Sequence, residues 1–171
     1  MAYNNFTLSK AKKDFNLTTI ESENLFKDVS SIEPSATLVE LLEEYLPLAR
    51  AISTEKAKSE LLVIPILVEI RKILSRKISL FSGSLFNVDI SLGLTGYVDF
   101  LITLSEEMYA ISSPVVTLVE AKNDLIVNGI GQCVAEMVAA QIFNQKQNNS
   151  VSTIYGVVTT GTAWLFLKLE D

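Results

Sequence analysis

All seven glycines of this 171-residue chain fall at or after Gly83. The first 82 residues thus lack the most permissive turn former, while the remainder carries it together with a high density of β-branched residues. Such a partition places helices first and a sheet second. From Ser35, a residue suited to capping a helix, apolar side chains recur at Leu38, Leu41, Leu42, Tyr45 and Leu46. This spacing predicts an amphipathic helix to about Pro47 or slightly beyond. A second helix is predicted from about Thr54 to Leu74, apolar nearly all round in its middle and therefore largely buried. Pro65 withholds a backbone donor there and is expected to kink it. Residues 1–34 show no sustained period and read as a loosely structured arm with short elements.

In the second half, Ile78–Val88 and Leu94–Leu104 read as strands with a turn near Asp89 to Gly93. A third strand, Val115–Ala121, is entered through Pro114. Ile130, Val134, Met137, Val138 and Ile142 give residues Asn128 to Gln145 a helical period. Thr153–Thr160 and Ala163–Leu169 are the last two strands, joined around Gly161. The order helix, three strands, helix, two strands predicts one α/β or α+β domain with a mixed central sheet of about five strands. Residues 1–52 would form an arm and a helix packed on a core spanning 53–171, in a length suited to a single domain.

Hydrophobic residues make up 49% of the chain and charged residues 20%, the balance of a soluble globular protein. The longest apolar stretch, Leu61 to Ile70, contains Pro65 and Glu69 and is too short to span a bilayer. The opening residues lack the pattern of a signal peptide. Cys133 is the sole cysteine, which rules out an intramolecular disulfide and points to a reducing cytoplasm. There is no histidine, so Ser-His triads and histidine-held zinc are excluded. A metal would have to be held by oxygen, which points to magnesium, manganese or calcium.

The net charge of −6 works against a nucleic-acid partner, yet Arg71, Lys72, Arg76 and Lys77 cluster within seven residues, and Lys10, Lys12 and Lys13 form a second group. Solvated charge near a helix C-terminus and a phosphate-facing patch are both open for the first cluster.

The chemistry concentrates in two predicted strands. Gly96-Tyr97-Val98-Asp99-Phe100 and Val119-Glu120-Ala121-Lys122 carry charges that an apolar core rejects unless they are paired. Side chains alternate along a strand, so Glu120 and Lys122 share a face. If the strands are neighbours, Asp99 reaches the same locality. Two carboxylates can hold a divalent ion that activates a water, with the lysine orienting that water or stabilising the transition state. On the residues alone, an ion pair of Lys122 with Glu120 or Asp99 that serves only packing accounts for the pattern equally well.

In this arrangement the chain resembles the PD-(D/E)XK, or restriction-endonuclease-like, phosphodiesterase superfamily, particularly its small bacterial nuclease-like domains. The resemblance covers about Ser53 to Leu169. It rests on Asp99 in the second strand and Glu120-Ala121-Lys122 in the third. The superfamily's helix glutamine corresponds to Gln132, in Gly129-Ile130-Gly131-Gln132-Cys133. Val98 stands where a proline often precedes the motif aspartate. The resemblance implies a metal-dependent nuclease with Asp99 and Glu120 holding Mg²⁺ or Mn²⁺, Lys122 positioning the attacking water and Gln132 assisting. DNA is the expected substrate, and a homodimer the expected assembly. A further glutamate is expected from the helix before the sheet. Glu60 and Glu69 lie nine residues apart on opposite helical faces; Glu60 is the expected ligand and Glu69 a surface or ion-pair residue. Because some members of the fold are catalytically silent, a domain that only binds nucleic acid or a protein partner is the alternative. Cys133 and Trp164 read as core residues, and Asn123 and Asp124 as a turn or cap.

Overall fold

The computed structural model describes residues 2–149 and 151–170; Met1 and Asp171, the outer limits of the two expected segments, fall outside them. A 3₁₀ turn, Tyr3–Asn5, leads into helix α1, Leu8–Asp14, whose Thr7 hydroxyl accepts the Lys10 N–H. These short elements are built into the core. Tyr3, Phe6 and Ala11 are buried, and the Tyr3 hydroxyl donates to the Phe86 carbonyl at 2.6 Å.

Helix α2, Ala36–Ile52, is capped by Ser35 and continues past Pro47. Pro47 lies on the exposed side, where the carbonyl it leaves without an N–H partner can be hydrated. The second predicted helix is interrupted: α3, Glu55–Lys58, passes through a wide π turn, Ser59–Val63, into α4, Ile64–Ile73. Within an ordinary helix the Pro65 ring would press on the carbonyl four residues earlier. The wide turn relieves this, and the Ile64 N–H bonds the Ser59 carbonyl instead. The helix is also less enclosed than its composition suggests: Leu62, Val63 and Leu67 are buried, whereas Val68 and Ile70 are exposed.

The five strands are β1, Ser79–Leu85; β2, Tyr97–Thr103; β3, Val115–Ala121; β4, Thr153–Thr159; and β5, Trp164–Glu170. They lie in chain order in one mixed sheet, antiparallel except for β3 and β4. Parallel neighbours need a crossover, supplied by helix α5, Val127–Lys146. The architecture is α+β, with helices flanking a mostly antiparallel sheet, a layout consistent with a restriction-endonuclease-like core. One apolar layer joins α5 to Leu101, Leu118, Ile154 and Val158, and includes the N-terminal Tyr3 and Phe6. On the other face Val63 and Leu67 pack against Ile78, Phe100, Ile102, Val119 and Val157. No helix among the described residues is long and apolar enough to cross a membrane.

Candidate active site

β2 and β3 pair regularly only as far as Phe100↔Val119. One residue beyond, the Asp99 carboxylate takes the Ala121 N–H at 2.8 Å, standing in for a strand carbonyl. Gly83 falls opposite Asp99, between the pairs Ser82↔Phe100 and Ser84↔Val98, with a φ of 58° that suits glycine. Phe100 packs in the α4 layer and Val98 in the α5 layer, although regular alternation would put them on one face. The sheet therefore changes course at Asp99. A cleft of about 220 Å³ opens there, lined by Glu55, Lys56, Ser59, Ser82, Gly83, Asp99, Phe100 and Ala121.

Behind the cleft, Lys122 donates to the Glu120 carboxylate, and its Nζ lies 3.5 Å from the Gln132 Oε1. Gln132 in turn donates through Nε2 to the Glu136 Oε1 at 3.0 Å. The start of α5 is shaped for this chain of contacts. A Cβ on Gly129 would meet Val158 at 2.6 Å and the Lys122 stem at 3.1 Å, so the missing side chain makes room for the lysine. A Cβ on Gly131 would stand 2.3–2.5 Å from the backbone of Phe6, Thr7 and Leu8. The N-terminal arm therefore sits directly on the turn that carries Gln132.

Charge is crowded in this region. Glu120 is 1% exposed, with Oε2 buried and, among the described residues, without a hydrogen-bond partner. Its burial, reinforced by the charge of Asp99, pushes its carboxyl up to about 7 despite the opposing effect of Lys122. Burial likewise raises Asp99, against the opposing Ala121 N–H and Lys122 charge. Burial disfavours the Lys122 ammonium, but Glu120, Glu55 and Asp99 outweigh it and hold the group above the usual lysine range. Glu136 is fully enclosed; burial and then Glu120 hold its carboxyl far above the usual range.

Asp99, Glu120, Lys122 and Gln132 thus occupy one locality. Glu60 does not join them. It is exposed, paired with Lys56 at 2.8 Å and absent from the cleft lining. The glutamate that the helix contributes to the cleft is Glu55, whose Oε2 accepts the Asn123 N–H at 3.1 Å. Lys58 donates to the carbonyl and side chain of the same Asn123, so α3 clamps the loop that follows Lys122. Glu69 is an ion-pair residue, but a buried one: it accepts the Ser35 N–H at 3.0 Å and faces Lys72 at 3.6 Å.

Glu55 and Glu136 are the two site residues that sequence reasoning missed. The available signals were Thr54, which begins the helix beside Glu55, and the apolar run Cys133–Ala140, in which Glu136 is the lone charge. The Arg71–Lys77 cluster belongs to the other end of α4, roughly 25 Å along the helix from Glu55. There Arg71 bonds the Ile78 carbonyl.

The carboxylates provide hard oxygen donors, and the bare Glu120 Oε2 suits a divalent cation of the magnesium type. Among the described residues no group of three acidic, thiol or imidazole side chains converges as a metal cage. An ion here would be held by few carboxylates and complete its coordination with water and substrate oxygens, as magnesium commonly does. No family model, curated protein or solved structure matches the chain.

Proposed function

We propose that the protein is a metal-dependent phosphodiesterase that hydrolyses nucleic acid, with DNA as its substrate. The observation that carries this reading is the grouping of Asp99, Glu120 and Lys122, two buried carboxyls and an ammonium, at the ends of adjacent strands beside an open cleft. Buried carboxylates with raised affinity for protons are costly to the fold unless another cation takes the proton's place. Asp99 and Glu120 would hold Mg²⁺ or Mn²⁺, with Glu55 in the supporting place expected of Glu60. The ion would supply Lewis-acid polarisation of a phosphate oxygen and a more acidic water.

The protein's own groups would do the rest. Asp99 is fixed by the Ala121 N–H, so its orientation is set before substrate arrives. Lys122, charged and held between Glu120 and Gln132, orients the attacking water or faces the negative charge that develops on the phosphate. Glu55 and Lys58 hold the loop at Asn123, limiting movement next to the lysine. A cytoplasmic setting and a homodimer in which each copy treats one strand belong with this reading.

The second reading is a catalytically silent domain of the same fold that binds nucleic acid or a protein partner. It is favoured by the direct Lys122–Glu120 pair, which also serves packing, and by the lack, among the described residues, of a group of three converging ligands. Cleavage of single-stranded DNA, duplex DNA and RNA with Mg²⁺ or Mn²⁺, wild type beside Lys122→Ala, separates the two. Metal-dependent cutting lost in the variant supports the phosphodiesterase. Cutting that persists in the variant removes Lys122 from the reaction, and no cutting by the wild type favours the binding domain.

A further inference from the structure

Glu136 is fully enclosed on α5 among buried Ala135, Met137, Val138, Ala139 and Ala140. Packing alone would favour an apolar residue there, because a buried carboxyl must be hydrogen-bonded or neutral to be tolerated. Its Oε1 takes the Gln132 amide at 3.0 Å, and its Oε2 is buried with no hydrogen-bond partner among the described residues. Gln132 stands one helical turn earlier and presents its other end, Oε1, to the Lys122 Nζ at 3.5 Å.

The two ends of an amide are chemical opposites: the nitrogen donates, the oxygen accepts. A lysine ammonium has only donors to offer. Were Gln132 turned over, its NH₂ would oppose the ammonium, and a half-buried donor would face a donor. Glu136 supplies the matching acceptor: its Oε1 takes the NH₂ whether the carboxyl is neutral or ionised, while the donor-only Lys122 ammonium disfavours the turned-over amide. Gln132 is thereby left with only its oxygen to give to Lys122.

We infer that Glu136 is a positioning residue: by accepting the Gln132 amide it fixes the Gln132 oxygen toward Lys122 and holds the ammonium in place beside the cleft. The consequence for catalysis rests on the phosphodiesterase reading; the orientation of Gln132 stands apart from it.

Three variants test the inference. Glu136→Leu removes the acceptor. Glu136→Gln keeps an oxygen able to accept at the same place. The reciprocal exchange Gln132→Glu with Glu136→Gln restores an acceptor before Lys122. Each is assayed for folding by thermal melting and for kcat and KM on single-stranded and duplex DNA with Mg²⁺ or Mn²⁺; the variants that keep Gln132 are also followed by its side-chain ¹H–¹⁵N resonance in metal-free protein.

Glu136→Leu is expected to lower kcat about 10- to 100-fold, the usual effect of losing a group that orients a site residue. KM should stay within about twofold, as for an interaction felt in the transition state. Its Gln132 amide resonance should move toward that of a freely exchanging amide. Glu136→Gln should retain most of kcat, and the exchange should recover most of the loss seen in Glu136→Leu. A folded Glu136→Leu protein with wild-type kcat and an unmoved Gln132 resonance overturns the inference. Should leucine unfold the protein, Glu136→Met carries the same test on an unbranched side chain. If wild type cuts none of the substrates, the phosphodiesterase reading fails. The resonance then decides alone: movement in the apolar variant upholds the positioning of Gln132, and an unmoved signal overturns it.

Discussion

Helix α4 and the β3–α5 layer each bury glutamates, with opposite outcomes. Glu69 on α4 has a use for both oxygens, one on the Ser35 N–H and one toward Lys72. Those hydrogen bonds hold its carboxyl below the ordinary range. Glu120 and Glu136 each keep one oxygen buried with no partner among the described residues, and both carboxyls are pushed upward. The first glutamate ties α2 to α4 and suits the ionised state that neutral water favours. The others sit where ionisation is costly, beside a cleft and a lysine. Burial of a glutamate therefore says little about function until its hydrogen bonds are counted.

The largest test of this contrast is Lys122→Ala. On the phosphodiesterase reading it lowers metal-dependent cleavage at least about 100-fold, the scale of a lost proton-handling or charge-stabilising group. Glu69→Gln, at a buried glutamate whose two oxygens are both engaged, leaves kcat unchanged. Equal losses in the two variants, measured on protein of matched thermal stability, would erase the distinction between the two regions.

The second test is the pH dependence of stability in metal-free protein, where the two regions have opposite signs. Glu120 rises from 4.5 to about 7 on folding, so the native state binds the proton more tightly than the unfolded chain. Its contribution is fully present below about 4.5 and is lost as pH climbs through about 7. A shift of that size corresponds to roughly 3 kcal/mol. Glu69 is lowered, so its contribution is present at neutral pH and is lost as pH falls below the ordinary glutamate range. Urea unfolding from pH 4 to 8 should show a declining limb that becomes shallower in Glu120→Gln, with Glu136 supplying the remainder, and persists undiminished in Glu69→Gln. A Glu120→Gln protein with the wild-type slope would remove Glu120 as its source.

How much of this was legible beforehand follows from what each residue's position depends on. The order of helices and strands is carried by local periodicity and turn chemistry, and the mixed sheet has that order. Asp99, Glu120 and Lys122 stand out because alternation along strands marks a charge in an apolar run. Glu55 did not stand out, since its closeness to Asn123 comes from a contact 68 residues away. The family resemblance points to Glu60, yet its i,i+4 neighbour Lys56 engages it on the exposed face. The N-terminal arm was read as loose because its anchor is remote. The bare backbone of Gly131 receives residues 6–8, and no pattern within residues 1–34 reports that.

That anchor gives a third test. An alanine methyl at Gly131 would overlap the arm's backbone, which cannot move aside as a side-chain tip can. Overpacking of this kind costs about 1–3 kcal/mol. Gly131→Ala should lower thermal stability accordingly and shift the amide signals of residues 3–8. Gly83→Ala, whose new methyl would meet open space but whose φ is left-handed, should cost less and leave the arm's signals in place. Equal arm shifts in both variants would show that the arm is not held through Gly131.

The smallest expected effect separates the two helix glutamates. Glu55 shares the cleft with Asp99 and acts on the charge states of Asp99, Glu120 and Lys122, whereas Glu60 meets only the solvent-exposed Lys56. Glu55→Gln keeps an oxygen for the Asn123 N–H and removes the charge, so the clamp on the loop survives while the electrostatics change. Cleavage should fall about 10-fold, within the range for a supporting ligand, and more Mg²⁺ should be needed for half-maximal rate. Glu60→Gln should leave both quantities unchanged, because a solvent-exposed i,i+4 pair is screened by water and lies outside the cleft. Titrating the metal for both variants in parallel makes the comparison internal. If Glu60→Gln alone raised the metal requirement, the α3 carboxylate at the cleft would be a bystander and the working geometry would require the π turn to rotate Glu60 inward.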